Sequence, residues 1–263
     1  VFISGADMSE IAVYGLLFYA GAIIGSFQNV LIYRLPRGLS IVRPPSHCPH
    51  CTNPIRFYDN LPIISYLILQ GCCRNCGQKI SGRYPFVEVL TGLVITLLYY
   101  RFGLTKNALF YGILLVSLIV IVFIDIDFHR IPNVMVIGTA VIGALLLPVL
   151  NPRTMTDAGL GLLGGAGIML FWSFCGRWLF KKECLGAGDI KLAILVGIFL
   201  GLPGIVLALF ISFILAGVIG GGLVLFKGLK IDGRLPYAPF LAAGTLMVIV
   251  ARSAMINWYL GLL

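Results

Sequence analysis

The sequence predicts an all-α, polytopic membrane protein of about eight transmembrane helices, with one polar hairpin between the first and the second. Apolar residues make up 59% of the chain and charged ones 11%, and the mean hydropathy of +1.01 exceeds what a single soluble core absorbs. Nearly uncharged runs recur at residues 11–32, 86–100, 107–124, 132–150, 158–176, 190–226 and 236–251. Of the 19 Lys and Arg residues, fourteen fall in alternate gaps between those runs and a fifteenth, Lys191, at the edge of one, and this bias sets an orientation.

The first run spans about 22 residues, longer than the apolar core of a secretory signal. Asp7 and Glu10 precede it, with no Lys or Arg, so it is expected to stay as a membrane helix. The runs at 86–100, 107–124, 132–150, 158–176 and 236–251 each suit one crossing. Run 190–226 is long enough for two passes at about 20 residues each, and Gly201-Leu202-Pro203-Gly204 divides it. Gly161, Gly164, Gly165 and Gly167 read as a surface for close helix packing.

If residues 1–10 lie outside, the cytoplasmic segments hold Arg34, Arg37, Arg43, Arg56, Arg74, Lys79, Arg83, Arg130, Arg177, Lys181, Lys182, Lys191, Lys227, Lys230 and Arg234. Only Arg101, Lys106, Arg153 and Arg252 remain near the other face. The net charge of +9 is therefore a topology device, not the footprint of a nucleic-acid partner.

Residues 33–84 form the one long polar stretch. It carries Cys48-Pro49-His50-Cys51 and Cys73-Arg74-Asn75-Cys76, two C-x-x-C knuckles joined by 21 residues. Folded together, Cys48, Cys51, Cys73 and Cys76 offer four thiolates to one tetrahedral zinc, and a structural disulfide is disfavoured in a reducing cytoplasm. A redox dithiol pair is the rival reading. His47, His50 and Cys72 read as bystanders, Cys175 as an apolar filler and Cys184 as an interfacial thiol.

Two acids stand at the entrances of apolar runs: Asp125 where one ends, and Asp189, in Gly186-Ala187-Gly188-Asp189, where another begins. An ionisable group at such a depth is costly unless hydrated or paired, which marks a functional site; the plainer reading is a pair of helix-end caps. The orientation brings both acids to the cytoplasmic side although 64 residues separate them. Asp127 lies about 200° around a helix from Asp125, so at most one of those two faces Asp189 squarely. Gly186 and Gly188 are expected to adopt backbone angles closed to other residues and to leave room for an extended substrate. Only about 12 residues run from Asp189 to Leu200, which places the acid below the interface in a wetted cleft.

Several motifs then appear in a recognisable order: Gly25-Ser26-Phe27-Gln28-Asn29-Val30, Tyr33-Arg34-Leu35-Pro36, both knuckles, Asp59-Asn60-Leu61-Pro62, Arg83-Tyr84-Pro85-Phe86-Val87-Glu88, the Asp125 region, Gly186 to Asp189 with Lys191, and Pro236-Tyr237-Ala238-Pro239-Phe240. The chain resembles the bacterial type IV prepilin peptidases, Gly-x-Gly-Asp intramembrane aspartic proteases, over nearly its whole length. The resemblance implies an inner-membrane enzyme that cuts the basic leader from type IV prepilins or type II secretion pseudopilins. It also implies N-methylation of the new amino terminus with S-adenosylmethionine. It assigns Asp125 and Asp189 as the catalytic pair, with Asp127 as a supporting or interfacial acid. Here Phe128-His129-Arg130-Ile131-Pro132-Asn133 follows, whereas many relatives have His directly after the second acid and Leu before the proline.

The implied organisation is a first transmembrane helix at 1–32, a zinc-binding region linked to methyl transfer at 33–84 and a protease bundle at 85–263. The 52 polar residues are too few for a Rossmann-type methyltransferase, and no Gly-x-Gly-x-x-Gly follows a strand, so the cofactor-binding residues are not named by any motif. Asp59, Asn60 and Glu88 are candidate polar contacts for leader or cofactor. Two other classes suit some of these features: a proton-coupled transporter built on the paired acids, and a membrane thiol oxidoreductase built on the C-x-x-C pairs.

Overall fold

A backbone in hydrocarbon must satisfy its own N–H and C=O groups, and every apolar run of the sequence accordingly folds as helix. The computed structural model describes residues 8–151, 154–180, 186–227 and 236–260. Among these are α1 (Met8–Arg34), the short α2 (Ile64–Ile68), α3 (Arg83–Phe102), α4 (Lys106–Phe128), α5 (Asn133–Leu150), α6 (Met155–Phe180), α7 (Ala187–Lys227) and α8 (Ala238–Leu260). No strand occurs among the described residues, only two isolated bridges. Arg153, Lys181, Lys182, Cys184, Lys230 and Arg234 lie outside them.

Six helices are long and apolar enough to cross a membrane, and α8 adds a shorter apolar stretch, Ala238–Ala251. The protein is thus a polytopic helical membrane protein. Its chain divides into two compact units, Val1–Leu104 and Thr105–Leu263.

In the first unit α1 and α3 pack through small residues. A methyl group on Gly25 would stand 2.7 Å from the Cα of Glu88, so glycine is what lets the two backbones touch there. Beyond α1, the buried Arg34 guanidinium donates to the carbonyls of Ser40 (2.9 Å) and Pro44 (2.6 Å) and pins the start of the polar stretch.

In the second unit α4 is the central rod. Phe110, Leu114, Leu118, Ile121 and Ile124 are buried, a stripe at helical spacing, and the Phe110 ring lies 4.6 Å from that of Phe199 on α7. Helix α7 is interrupted at Gly201, whose φ of 68° and ψ of 175° belong to a region essentially reserved for glycine. A side chain on Gly165 of α6 would meet both the carbonyl of Ala193 and the Ile205 side chain. Twelve residues of straight helix would hold those two about 18 Å apart. The chain therefore reverses at Gly201, and residues 187–200 and 202–227 are two limbs of a helical hairpin. Gly161 and Gly165 press against its backbone at Gly197 and Ala193, as packing surfaces do.

Candidate functional site

Each knuckle is built the same way, and the two match at an offset of 25 residues. Cys48 N–H donates to Asn53 and Thr52 N–H to Cys48, while Cys73 N–H donates to Gln78 and Gly77 N–H to Cys73. Ile55 N–H to Ser46 is repeated by Ile80 N–H to Gly71, and the bridge His47–Pro54 by Cys72–Lys79. Thr52 and Gly77 hold the same left-handed turn, with φ of 58° and 68°. The four Sγ atoms of Cys48, Cys51, Cys73 and Cys76 lie within 4.8 Å of one another, with Cys48–Cys76 and Cys51–Cys73 both at 3.9 Å. A tetrahedral ion with metal–sulfur bonds near 2.3 Å needs sulfurs about 3.8 Å apart, so the cluster fits a metal. The N–H groups of Cys76 and then Asn75 face the Cys73 sulfur and bring its thiol down to about 6. His47, His50 and Cys72 are not in the cluster.

Asp59 is clamped by Arg74 from within the second knuckle, Nε to Oδ2 at 2.9 Å and Nη2 to Oδ1 at 2.7 Å. That pairing holds the Asp59 carboxyl below its ordinary value and ties residues 57–60 to the four-cysteine cluster. Asp59, Asn60 and Glu88 all line one cavity of about 680 Å³ in the first unit.

In the second unit, the segments that carry Asp125 and Asp189 meet: Gly188, next to Asp189, packs against Ile131, six residues after Asp125. Asp125, 6% exposed, occupies the last turn of α4, which His129 closes by donating its backbone N–H to the Asp125 carbonyl in a left-handed cap. Asp125 Oδ2 accepts the backbone N–H of Ala238 at 3.2 Å, at the first residue of α8. Asp189 sits in the first turn of α7, and its Oδ2 accepts the N–H of Gly186 at 2.9 Å, as the third-residue acid of a capping box does. Lys191 Nζ donates to Asn133 Oδ1 at 3.0 Å, so the start of α5 joins the same end of the unit. Asp127 is turned outward and exposed.

The expectation that Gly186 and Gly188 use backbone angles closed to other residues is corrected. Neither is among the positive-φ glycines; Gly188 is instead small because Ile131 packs against it, leaving 3.2 Å for any added methyl. The Ala238 N–H was not foreseeable as a partner of Asp125, although Pro239 after it is a helix-start signal. Tyr237, beside it, buries a hydroxyl that has no hydrogen-bond partner among the described residues.

A helical membrane protein with two acids at one end of its bundle and a four-thiolate cluster in a polar segment is the class these features define. Residues 112–221 match the type IV leader peptidase family and residues 19–102 the bacterial peptidase A24 N-terminal domain. A prepilin leader peptidase/N-methyltransferase of Legionella pneumophila is 32% identical over 90% of this chain and 91% of its own. One of Bacillus subtilis (strain 168) is 33% identical over 93% and 97%. One of Myxococcus xanthus is 41% identical over 70% of this chain, which spans 55% of that protein. The chain belongs to the type IV leader peptidase family. No solved structure matches it.

Proposed function

We propose that this protein removes the leader from type IV prepilins or pseudopilins and then N-methylates the new amino terminus with S-adenosylmethionine. The reading rests on Asp125 and Asp189 standing on segments that meet at Ile131 and Gly188, in a chain of this family. Two carboxyls that share one proton divide the work of peptide hydrolysis. One takes a proton from water while the other, protonated, polarises the scissile carbonyl. They act as one titrating unit. The Ala238 N–H holds Asp125 in place, Gly186 does so for Asp189, and the exposed Asp127 is outside the pair.

Cys48, Cys51, Cys73 and Cys76 hold a zinc ion whose part is structural, since four thiolates leave no open coordination position. The polar stretch 33–84 belongs to methyl transfer and the bundle that follows to cleavage. The reversal at Gly201 supports eight crossings of a bacterial inner membrane, with lipid around the bundle and the acids facing the cytoplasm. The relatives reported favour this reading over the transporter and thiol oxidoreductase alternatives. Incubating the purified protein with a prepilin and methyl-labelled S-adenosylmethionine tests it. Leader loss and label on the new amino terminus are expected; an intact leader overturns the reading.

A further inference from the structure

The cavity of the first unit, which Arg34, Arg37, Arg56, Arg74, Lys79 and Arg83 also line, contains a buried carboxyl that makes no ion pair among the described residues. Glu88, 7% exposed, lies on α3 where Gly25 lets α1 approach, and this puts Ser26 and Asn29 of α1 beside it. Its Oε2 accepts the N–H of Ile63 at 2.8 Å, and Ser26 lines the same cavity. No Lys, Arg or His is within ion-pair distance of it among the described residues. A carboxyl buried beside neutral donors alone ionises more readily when a cationic ligand sits against it.

Two further observations point into the same space. Asn29, 3% exposed, donates its Nδ2 to the Tyr84 carbonyl at 3.0 Å, while its Oδ1 faces no donor. Ile63 is held at φ 63° and ψ −52°, the geometry of a tight γ-turn, and Ile64 N–H reaches the Pro62 carbonyl at 2.5 Å across it. A β-branched residue adopts such angles only where its surroundings impose them, and strain of this kind gathers at functional sites. Here the turn delivers the Ile63 N–H to Glu88.

We infer that this cavity is the methyl-transfer chamber and that Glu88, with Asn29, holds the amino terminus that is to be methylated. The inference rests on the bifunctional reading above. A new amino terminus is a primary ammonium, with one charge for Glu88 and N–H donors for both Glu88 and the free Asn29 Oδ1. At about 680 Å³ the space lies within the range that takes a ligand of nucleoside size. The ammonium gives one proton to the Glu88 carboxylate. The freed nitrogen lone pair forms the N–C bond to the sulfonium methyl carbon. The C–S bond breaks with its electron pair going to sulfur, leaving a methylammonium and a thioether, and the proton passes from Glu88 to water. General-base assistance of this kind contributes about 10²- to 10⁴-fold.

The test uses the full chain in detergent, a cleaved pilin as acceptor and labelled S-adenosylmethionine. Wild type that cleaves but transfers no methyl group sinks the bifunctional reading itself. Given an active wild type, Glu88→Gln is expected to bind donor within about twofold of wild type, by equilibrium dialysis, and to cleave prepilin normally. Its methyl transfer should be at least about 100-fold slower, with part of the loss recovered in Glu88→Asp. Methylation at the native rate overturns the assignment, and so does loss of donor binding in proportion to activity, because the carboxylate then serves the donor. If Glu88→Gln loses its metal or its cleavage, Ser26→Ala decides. A several-fold lower kcat for methyl transfer with unchanged donor KM supports the chamber, and an unchanged kcat overturns it.

Discussion

The backbone N–H of Ala238 donates to Oδ2 of Asp125 across 113 residues of sequence, joining the first turn of α8 to the last turn of α4. The donor is an amide at a helix start, where proline is tolerated by the backbone, although its ring adds carbons at a fully buried position. Ala238→Pro is therefore expected to lower the melting midpoint by a few degrees and to cleave prepilin about 10- to 100-fold more slowly, the rate loss coming from one hydrogen bond to a charged group. Cleavage kinetics beside a thermal melt in detergent check this; a native rate would show that the amide does not support Asp125.

Asp125→Asn and Asp189→Asn should each reduce leader cleavage by at least about 10³-fold, and the double variant should be little worse than either alone, because a shared proton cannot be held by one carboxyl. Methylation of an already cleaved pilin should continue in all three. Prepilin processing followed on gels decides the first point, and label transfer to mature pilin the second.

Asp127→Asn should stay within a few-fold of wild-type cleavage, since the side chain is exposed on the face of α4 away from Asp125. An inactive Asp127→Asn beside an active Asp125→Asn would move the site by two residues.

Metal analysis of wild type should find one zinc per chain, and Cys48→Ser with Cys73→Ser should abolish it. Because the binding energy of a structural ion is folding energy, the doubly substituted polar segment should become protease-sensitive. Retained stoichiometric zinc would remove the four-thiolate assignment.

Gly201→Ala tests the reversal in α7. A Cβ at φ 68° and ψ 175° costs on the order of 1–3 kcal/mol, so the melting midpoint should fall by several degrees and cleavage should fall with it, because Asp189 heads the limb that the turn positions. An unchanged midpoint would mean that the turn tolerates a side chain.

The two knuckles are legible in the sequence because ligand spacing is local, and the outward turn of Asp127 follows from 100° per residue. The reversal at Gly201 is half legible: the Gly-Leu-Pro-Gly run marks a break without saying that residues 193 and 205 end up beside one side chain of α6. Crossing counts blur for the same reason, since one kinked element of 41 residues reads as a single long helix. What the sequence hides is contact through backbone. Nothing in the identity of Ala238 marks it as the residue whose amide meets Asp125, and an isoleucine is among the last residues one would place in a γ-turn. The conformational reason given for Gly186 and Gly188 failed because neither has a positive φ, and at Gly188 a small residue answers to the neighbouring Ile131.

The 25-residue register between the knuckles bears on how new copies are made. Each knuckle supplies two sulfurs, so a chain that has emerged only as far as Cys51 has half a coordination sphere and holds an ion weakly. Capture waits until Cys76 has left the ribosome, by which time α1 is already available to the bilayer. Metal scarcity during synthesis should then leave the polar segment without the cross-link that joins its two halves.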